Sequence, residues 1–491
     1  MGTNKGVLVL YTGGTIGCFP SDPNDPDSPM IVANWDFFSE RVSALRQMKK
    51  EFPIGHYSFN PPIDSTNMEP KFWIEMAEVI EQNYDMYEGF VILHGTDTMV
   101  YTASALSFML RNLGKPVVIT GSQVPIIGRP RNDGEQNLIT ALLIANPKYS
   151  GIPVVPEVCI FFRDKLIRGN RAVKITASGY TGFESPNYPD LGQAGEHIQI
   201  NTNLIRKLPE RPFLVKKRLD THVIFFPIFP GIQSKDNDLL SNVLNLKDLR
   251  AVVLATYGTG NAPTTPGFLE EIESATRKGI VVLNVSQCIE GTVELGVYET
   301  SVALLDRGVS SGSDITSAAA LCKLMVLLGE EDMTSDEVKK QVQMNMAGEQ
   351  SRSIHTLQYA KKMVTLSPSS PRYRIPGENI PGVWDKNTVE MVHLRLRSAE
   401  VKADGPEGPL KIKIFANISS DGPLDETRPN YAGTFMRQES AVTSTLIFDI
   451  THTTKELLGP GEKASFTLAI HAEAKGQLQW EQVEFVLYSR E

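Results

Sequence analysis

Four short polar loops concentrate hydroxyl, carboxylate and cationic side chains. Thr12-Gly13-Gly14-Thr15-Ile16-Gly17 follows directly on an apolar run, residues 6–11. Glycines at a strand end permit a tight turn and close backbone approach, and the freed N–H groups can hold an anion. A threonine hydroxyl held there, Thr15, is a candidate nucleophile if a neighbour takes its proton. The plainer reading is a strand-to-loop turn, and the spacing fits neither dinucleotide nor P-loop fingerprints. His94-Gly95-Thr96-Asp97-Thr98-Met99 follows a second apolar run, 90–93. Thr96 and Asp97 bring a hydroxyl and a carboxylate, against the plainer readings of turn residue and helix N-cap. His94 reads as a buried, hydrogen-bonded histidine. Asp64, Ser65 and Thr66 form a third polar stretch, readable as ligand contacts or as helix capping. The fourth, 168–174, has three cations, Arg168, Arg171 and Lys174, in seven residues. Such a run usually marks a solvated loop. A lysine beside an aspartate in a closed site can instead carry a proton, since burial shifts lysine readily.

An α/β scaffold must position these loops. From residue 5 to about 355, short apolar runs alternate with helical patterns, as in two units built on mostly parallel sheets. Strands are expected at 6–11, 90–93, 117–120 and 158–162. A helix runs through Phe72, Trp73, Met76, Val79, Ile80 and Tyr84, and another over 105–113 is stopped by Gly114 with Pro116 behind it. Two strand ends would then deliver hydroxyl-bearing loops to one crevice. The proline- and charge-bearing stretch 207–220 reads as a linker to a second α/β unit. That unit has strands at 251–255 and 280–284 and helices at 267–277, 315–328 and after Thr334, where Glu337 completes a capping box. Residues 367–382 read as a second linker. Beyond it apolar residues alternate (Val392, Leu394, Leu396; Leu410, Ile412, Ile414; Phe466, Leu468, Ile470; Val483, Phe485, Leu487), the pattern of an all-β, sandwich-like module. The units are placed at 1–206, 221–360 and 378–491.

Composition narrows the function. The 491 residues are 41% hydrophobic and 21% charged, ordinary for a globular chain. The formal charge of −9 has no long run of either sign, which argues against nucleic acid as a partner. No apolar stretch approaches the ~20 residues needed to cross a bilayer, and the N-terminus lacks a signal-peptide core. Cys18, Cys159, Cys288 and Cys322 lie far apart, and eight histidines show no H-E-x-x-H. Neither a disulfide framework nor a metal or other cofactor is expected. The expectation is a cytoplasmic protein.

Taken together the four loops resemble those of the asparaginase/glutaminase amidohydrolases, in particular the cytoplasmic bacterial-type branch. The resemblance covers about residues 5–350. TGGTIG at 12–17 and HGTDTM at 94–99 match its two signature motifs, and GKPVVITGSQ, RGNRAVK and YGTGNAP follow the same branch. It implies hydrolysis of L-asparagine to L-aspartate and ammonia, with Thr15 as nucleophile and an acyl-enzyme intermediate. It implies that Thr96, Asp97 and Lys174 form a proton-transfer triad, with Asp97 also on the substrate's amino group. It assigns Asp64, Ser65 and Thr66 to the substrate's carboxylate and amino groups. A homodimer or homotetramer is implied, with the loop 257–263 near a neighbouring subunit's site. The family's flap tyrosine is missing: the segment after TGGTIG reads CFPSDPNDPDSPMIV. IIGRPRND at 126–133 is a second departure. Two other readings compete, the amidase subunit of a tRNA-dependent amidotransferase and a non-catalytic amino-acid-binding protein.

Overall fold

The computed structural model describes residues 5–22, 25–233, 237–296, 298–359, 361–379, 384–403, 409–417, 424–438, 443–457, 463–470 and 476–490. Eight strands form the first sheet, and its central part is parallel. Ile54–Ser58, Val7–Tyr11, Gly89–Leu93, Val117–Thr120 and Val158–Phe162 lie side by side in that order. Lys165–Arg168, Gly192–Ala194 and Ile198–Ile200 extend it antiparallel. The uninterrupted apolar runs follow from burial on both faces. Along Val7–Tyr11, Leu8 and Leu10 enter one core while Val7, Val9 and Tyr11 enter the other.

A second, wholly parallel sheet holds Val223–Pro227, Ala251–Thr256, Val281–Ser286 and Ser310–Ser311. One core is shared by both sheets, because Ala251, Val253 and Ala255 join the cluster that contains Leu8, Leu10 and Ile92. Between them lie the helices Met99–Met109 and Ser317–Leu328, apolar on nearly every face. Such helices are interior elements with no polar stripe to present. The first begins directly after HGTDT and ends at Met109, so the expected helix over 105–113 is displaced towards the N-terminus. Leu110–Arg111 is already a short strand, paired with Leu214–Val215 from the stretch read as a linker.

The rest of the chain is antiparallel. Arg352–Gln358, Gln482–Arg490, Val389–Ala403, Gly476–Trp480 and Val364–Leu366 form one sheet, with Ser444–Asp449 also paired to Val389–Ala403. Arg372–Asn379, Lys463–Ile470, Leu410–Ala416 and Tyr431–Arg437 form a second. Inward residues of both meet in one core, where the rings of Phe466 and Phe485 stack 5.5 Å apart. This is the expected sandwich. Two readings need correction. The stretch 367–382 contains the strand Arg372–Asn379, and Arg352–Gln358, read as part of the second α/β unit, pairs with Gln482–Arg490. The β region therefore starts at Arg352. It also grips the second α/β unit: Arg397 and Thr445 both bond Asp306, and Arg352 bridges Glu294 to Glu390.

Candidate active site

Three loops meet at the carboxyl ends of the parallel strands, and Thr12 ties them. Its N–H and hydroxyl both donate to the Leu93 carbonyl (3.0 and 2.9 Å), and its carbonyl accepts the Ile63 N–H at 2.6 Å. Glycine lets the loops touch. Gly14 has φ +81°, and a Cβ there would lie 2.4 Å from both Cα and N of Gly95. A Cβ on Gly95 would in turn lie 2.4 Å from Ser65 Oγ. Only backbone without side chains packs this closely. Thr98 Oγ1 closes the circuit by donating to the Ser65 carbonyl at 2.7 Å.

Thr15 opens a single 3-10 turn, Thr15–Gly17, and is half-buried. Among the described residues its hydroxyl has no hydrogen-bond partner, and the N–H groups of Thr15 and Thr96 meet no acceptor. Lys174 Nζ donates to Thr96 Oγ1 at 3.0 Å and to Asp97 Oδ1 at 2.6 Å. The ammonium is largely buried while the Asp97 side chain is 58% exposed, so the pair has one open side. Asp97 is not the cap of the following helix, whose N-cap is Thr98. Asp64 caps only the short turn Ser65–Asn67, its Oδ1 accepting from both N and Oγ1 of Thr66 at 3.0 Å. Ser65 is buried beneath Gly95.

His94 is the buried histidine expected. Its Nδ1 lies 2.6 Å from the Gly95 carbonyl and must donate, so Nε2 accepts from Thr102 Oγ1 at 2.8 Å, which accepts from Trp73 Nε1 at 2.9 Å. Complete burial pushes its pKa down to about 4, keeping the ring neutral. It props the loop from beneath. After Thr15–Gly17 come the hairpin strands Cys18–Asp22 and Asp25–Val32, in the position of the flap. Cys18 Sγ reaches the Gly14 carbonyl at 3.4 Å, and burial first, then Asp64, raises its pKa to about 11. The thiol is thus a neutral neighbour of the turn.

Sequence reasoning missed two groups. The loop after Val117–Thr120 abuts the second motif, since a Cβ on Gly121 would lie 2.3 Å from the His94 carbonyl. The two arginines of RGNR are not solvated. Arg168 pairs with Glu157 at 2.5 Å and Arg171 with Asp314 at 2.8 Å, all inside the protein. Neither partner lies in the run itself, and Asp314 stands 143 residues beyond Arg171, so the charge run alone gave no signal. Lys174 and Asp97 also line a cavity of about 530 Å3, to which Phe225, Gln287 and Ile289 of the second unit contribute. The slightly larger cavity around Arg111 and Arg206, about 590 Å3, does not reach the loops. Among the described residues, no helix is long and apolar enough to cross a membrane, and no cluster of three or more His, Cys, Asp or Glu could hold a metal.

Comparison with known proteins places this geometry in a lineage. Residues 6–206 match the family model described as asparaginase, N-terminal, and residues 223–341 match the glutaminase/asparaginase C-terminal domain. The chain is 41% identical over 346 residues to L-asparaginase 1 of Escherichia coli, covering 70% of this chain and 98% of that protein. The crystal structure of L-asparaginase I from Vibrio cholerae superposes with a TM-score of 0.63 at 40% identity, over 71% of this chain and 99% of that one. A glutamyl-tRNA(Gln) amidotransferase polypeptide of Saccharolobus solfataricus is more distant, 35% identical over 71% of this chain and 77% of that protein.

Proposed function

The chain belongs to the asparaginase/glutaminase family, and on that premise we propose that it hydrolyses L-asparagine to L-aspartate and ammonia with Thr15 as nucleophile. The observation that carries the assignment is the Thr96–Lys174–Asp97 cluster, which sets a lysine ammonium between a hydroxyl and a carboxylate. Thr15 Oγ attacks the side-chain amide carbonyl. The N–H groups of Thr15 and Thr96, unbonded within the described chain, receive the oxyanion in this reading. Collapse of the tetrahedral intermediate expels ammonia, which takes up the proton that leaves Thr15, and an aspartyl ester remains on Thr15. Water then attacks the ester carbonyl, and the proton it gives up, relayed through Thr96 beside Lys174, ends on Thr15 Oγ as the ester bond breaks, which releases L-aspartate and restores the hydroxyl. Asp97 accepts a hydrogen bond from Lys174 and meets the substrate ammonium from its exposed side. Asp64, Ser65 and Thr66 frame the substrate's α-carboxylate and amino groups. No step calls for a metal or an organic cofactor.

The same reading makes the protein a cytoplasmic homo-oligomer, the loop 257–263 of one subunit approaching the site of the next. The test is ammonia release from L-asparagine, L-glutamine and D-asparagine by the purified protein, with Thr15→Ala alongside. Thr15→Ala is expected to abolish turnover while folding normally. Retention of more than a few per cent of activity overturns the nucleophile assignment.

A further inference from the structure

The hairpin that carries Lys174 is fastened at both ends to a single residue of the second α/β unit. Its strands are Val173–Lys174 and Phe183–Glu184, with Lys174 paired to Phe183. Three residues before Lys174, Arg171 Nη1 donates to Asp314 Oδ2 at 2.8 Å. Three residues beyond Glu184, Asn187 Nδ2 donates to the Asp314 main-chain carbonyl at 3.1 Å. Asp314 thus holds one end through its carboxylate and the other through its backbone.

The carboxylate is itself fixed by Ser351, whose N–H donates to Oδ1 at 2.7 Å and whose hydroxyl donates to Oδ2 at 2.5 Å. Ser351 immediately precedes Arg352–Gln358, the strand paired along its whole length with Gln482–Arg490. Glu390 of the neighbouring strand bonds both Arg352 and Arg490. The path from the β region to Lys174 is therefore continuous and made of directional bonds: paired strands, Ser351, Asp314, Arg171. Arg171 is 1% exposed, and Arg171 Nε also donates to the Gly348 carbonyl at 2.7 Å. A bidentate fork with both arms engaged has little freedom to rotate.

We propose that Asp314 is a positioning residue for Lys174, and that Ser351 fastens it to the C-terminal β region, which braces the catalytic hairpin. This rests on the role assigned to Lys174 above. Asp314 touches neither substrate nor the reacting atoms. It sets where the lysine ammonium sits relative to Thr96 Oγ1, and a displacement of about 1 Å at such a group costs roughly a hundredfold in rate. The β region, which contributes no residue to the four loops, thereby gains a physical reason to be attached.

The experiment measures kcat and KM for L-asparagine in the full-length protein and in Asp314→Asn, Ser351→Ala and Ser351→Thr. Asp314→Asn is expected to lower kcat about 10- to 100-fold with KM changed less than about threefold, because the hairpin shifts while the loop 64–66 does not. Ser351→Ala keeps the Arg171–Asp314 pair but removes the Ser351 hydroxyl that bonds both Asp314 Oδ2 and Arg171 Nη2 (3.2 Å); as the milder change it is expected to lower kcat in the same direction by a smaller factor. Ser351→Thr keeps the hydroxyl donor and is expected to restore most of it. A merely structural role predicts lowered melting temperatures with kcat per folded molecule unchanged in every variant, and that result overturns the proposal. So does a loss confined to KM. If the unaltered protein releases no ammonia from asparagine, the functional reading itself fails. If it is active, Thr15→Ala is dead, and Ser351→Ala matches the unaltered protein, only the brace fails.

Discussion

Replacing Gly14 by alanine tests the convergence of the loops at its tightest point. The added Cβ would lie 2.4 Å from Cα and N of Gly95, a full ångström inside ordinary van der Waals contact, and both atoms are backbone. No rotamer change relieves that contact, so one loop must move away from the other. The residue also sits at φ +81° with ψ −179°, a region essentially confined to glycine, where an L side chain costs about 1–3 kcal/mol. Forcing the backbones apart adds about 1–3 kcal/mol. The sum, a few kcal/mol, is survivable within the ~5–15 kcal/mol of a typical domain. Activity suffers more: Thr15 follows directly on Gly14, and a shift of about 1 Å in a nucleophile costs on the order of a hundredfold. The matched control is Gly151→Ala, at φ +73° with nothing within 4 Å of the new Cβ. At ψ 8° it incurs left-handed strain of about 1–2 kcal/mol without the collision. Ammonia-release kinetics and urea melts of both variants are expected to show a cooperative, moderately destabilised, nearly inactive Gly14→Ala and a fully active Gly151→Ala. The reasoning is refuted if Gly14→Ala retains more than a tenth of the activity, or if the two variants lose it equally.

Asparagine is expected to be preferred over glutamine, since one methylene moves the amide relative to Thr15 and such a change is worth ~1–3 kcal/mol; equal kcat/KM for the two amides contradicts this. Stability is expected to fall as pH drops below 6.5. His94 and His393 are both held near pKa 4 by burial, so the unfolded chain takes up protons that the folded one refuses, until the folded form titrates near pH 4. Each contributes about 2 kcal/mol of loss by pH 5, and a urea midpoint that stays constant from pH 7 to 5 would exclude it. A chain ended at Ser367 is expected to aggregate, because the strands Arg352–Gln358 and Val364–Leu366 would lose Gln482–Arg490 and Gly476–Trp480 and bare their edges. A soluble, fully active monodisperse product on size exclusion would show those pairings to be dispensable.

What the sequence disclosed and what it hid divide along the range of the interactions involved. Strand, glycine turn and polar residue stand side by side in TGGT and HGTDT, so the loops and their place at strand ends could be read locally. The helix after HGTDT begins at Met99 yet was expected only from 105, because a helix buried on all sides has no polar face to generate a period. Residues 367–382 read as a linker for a related reason. Arg372–Asn379 lies at the edge of its sheet, and its pairing slips between Ile375 and Glu378, where Pro376 and Gly377 stand. Proline and glycine are tolerated at an edge bulge, so residues that usually announce a linker here belong to a strand.

The RGNR arginines failed as solvated cations because what decides burial of a charge is its partner, and both partners lie outside the run, one of them far away. Asp314 lies 143 residues beyond Arg171. A guanidinium that is 1% exposed needs such a carboxylate, since an unpaired charge there would be prohibitively desolvated. Desolvation lowers the Arg171 pKa and Asp314 opposes it, which keeps the charge where the fold uses it. The same logic governs Lys323 and Glu349, both fully buried and 2.5 Å apart at the end of the second α/β unit. Desolvation would raise the Glu349 pKa, but Lys323 and the N–H groups of Ala347 and Glu349 outweigh it. These two pairs hold the turn 345–351, the last segment before the β region begins: Glu349 lies within it, and Arg171 and Asp314 bond its Gly348 and Ser351. Buried charges, each satisfied by a partner from another element, make that turn rigid at the point where the catalytic units and the appended sheet are joined. A flexible tether there would let the β region move independently of the site. A turn pinned by two internal ion pairs transmits its position to Asp314, and through Arg171 to the hairpin that holds Lys174.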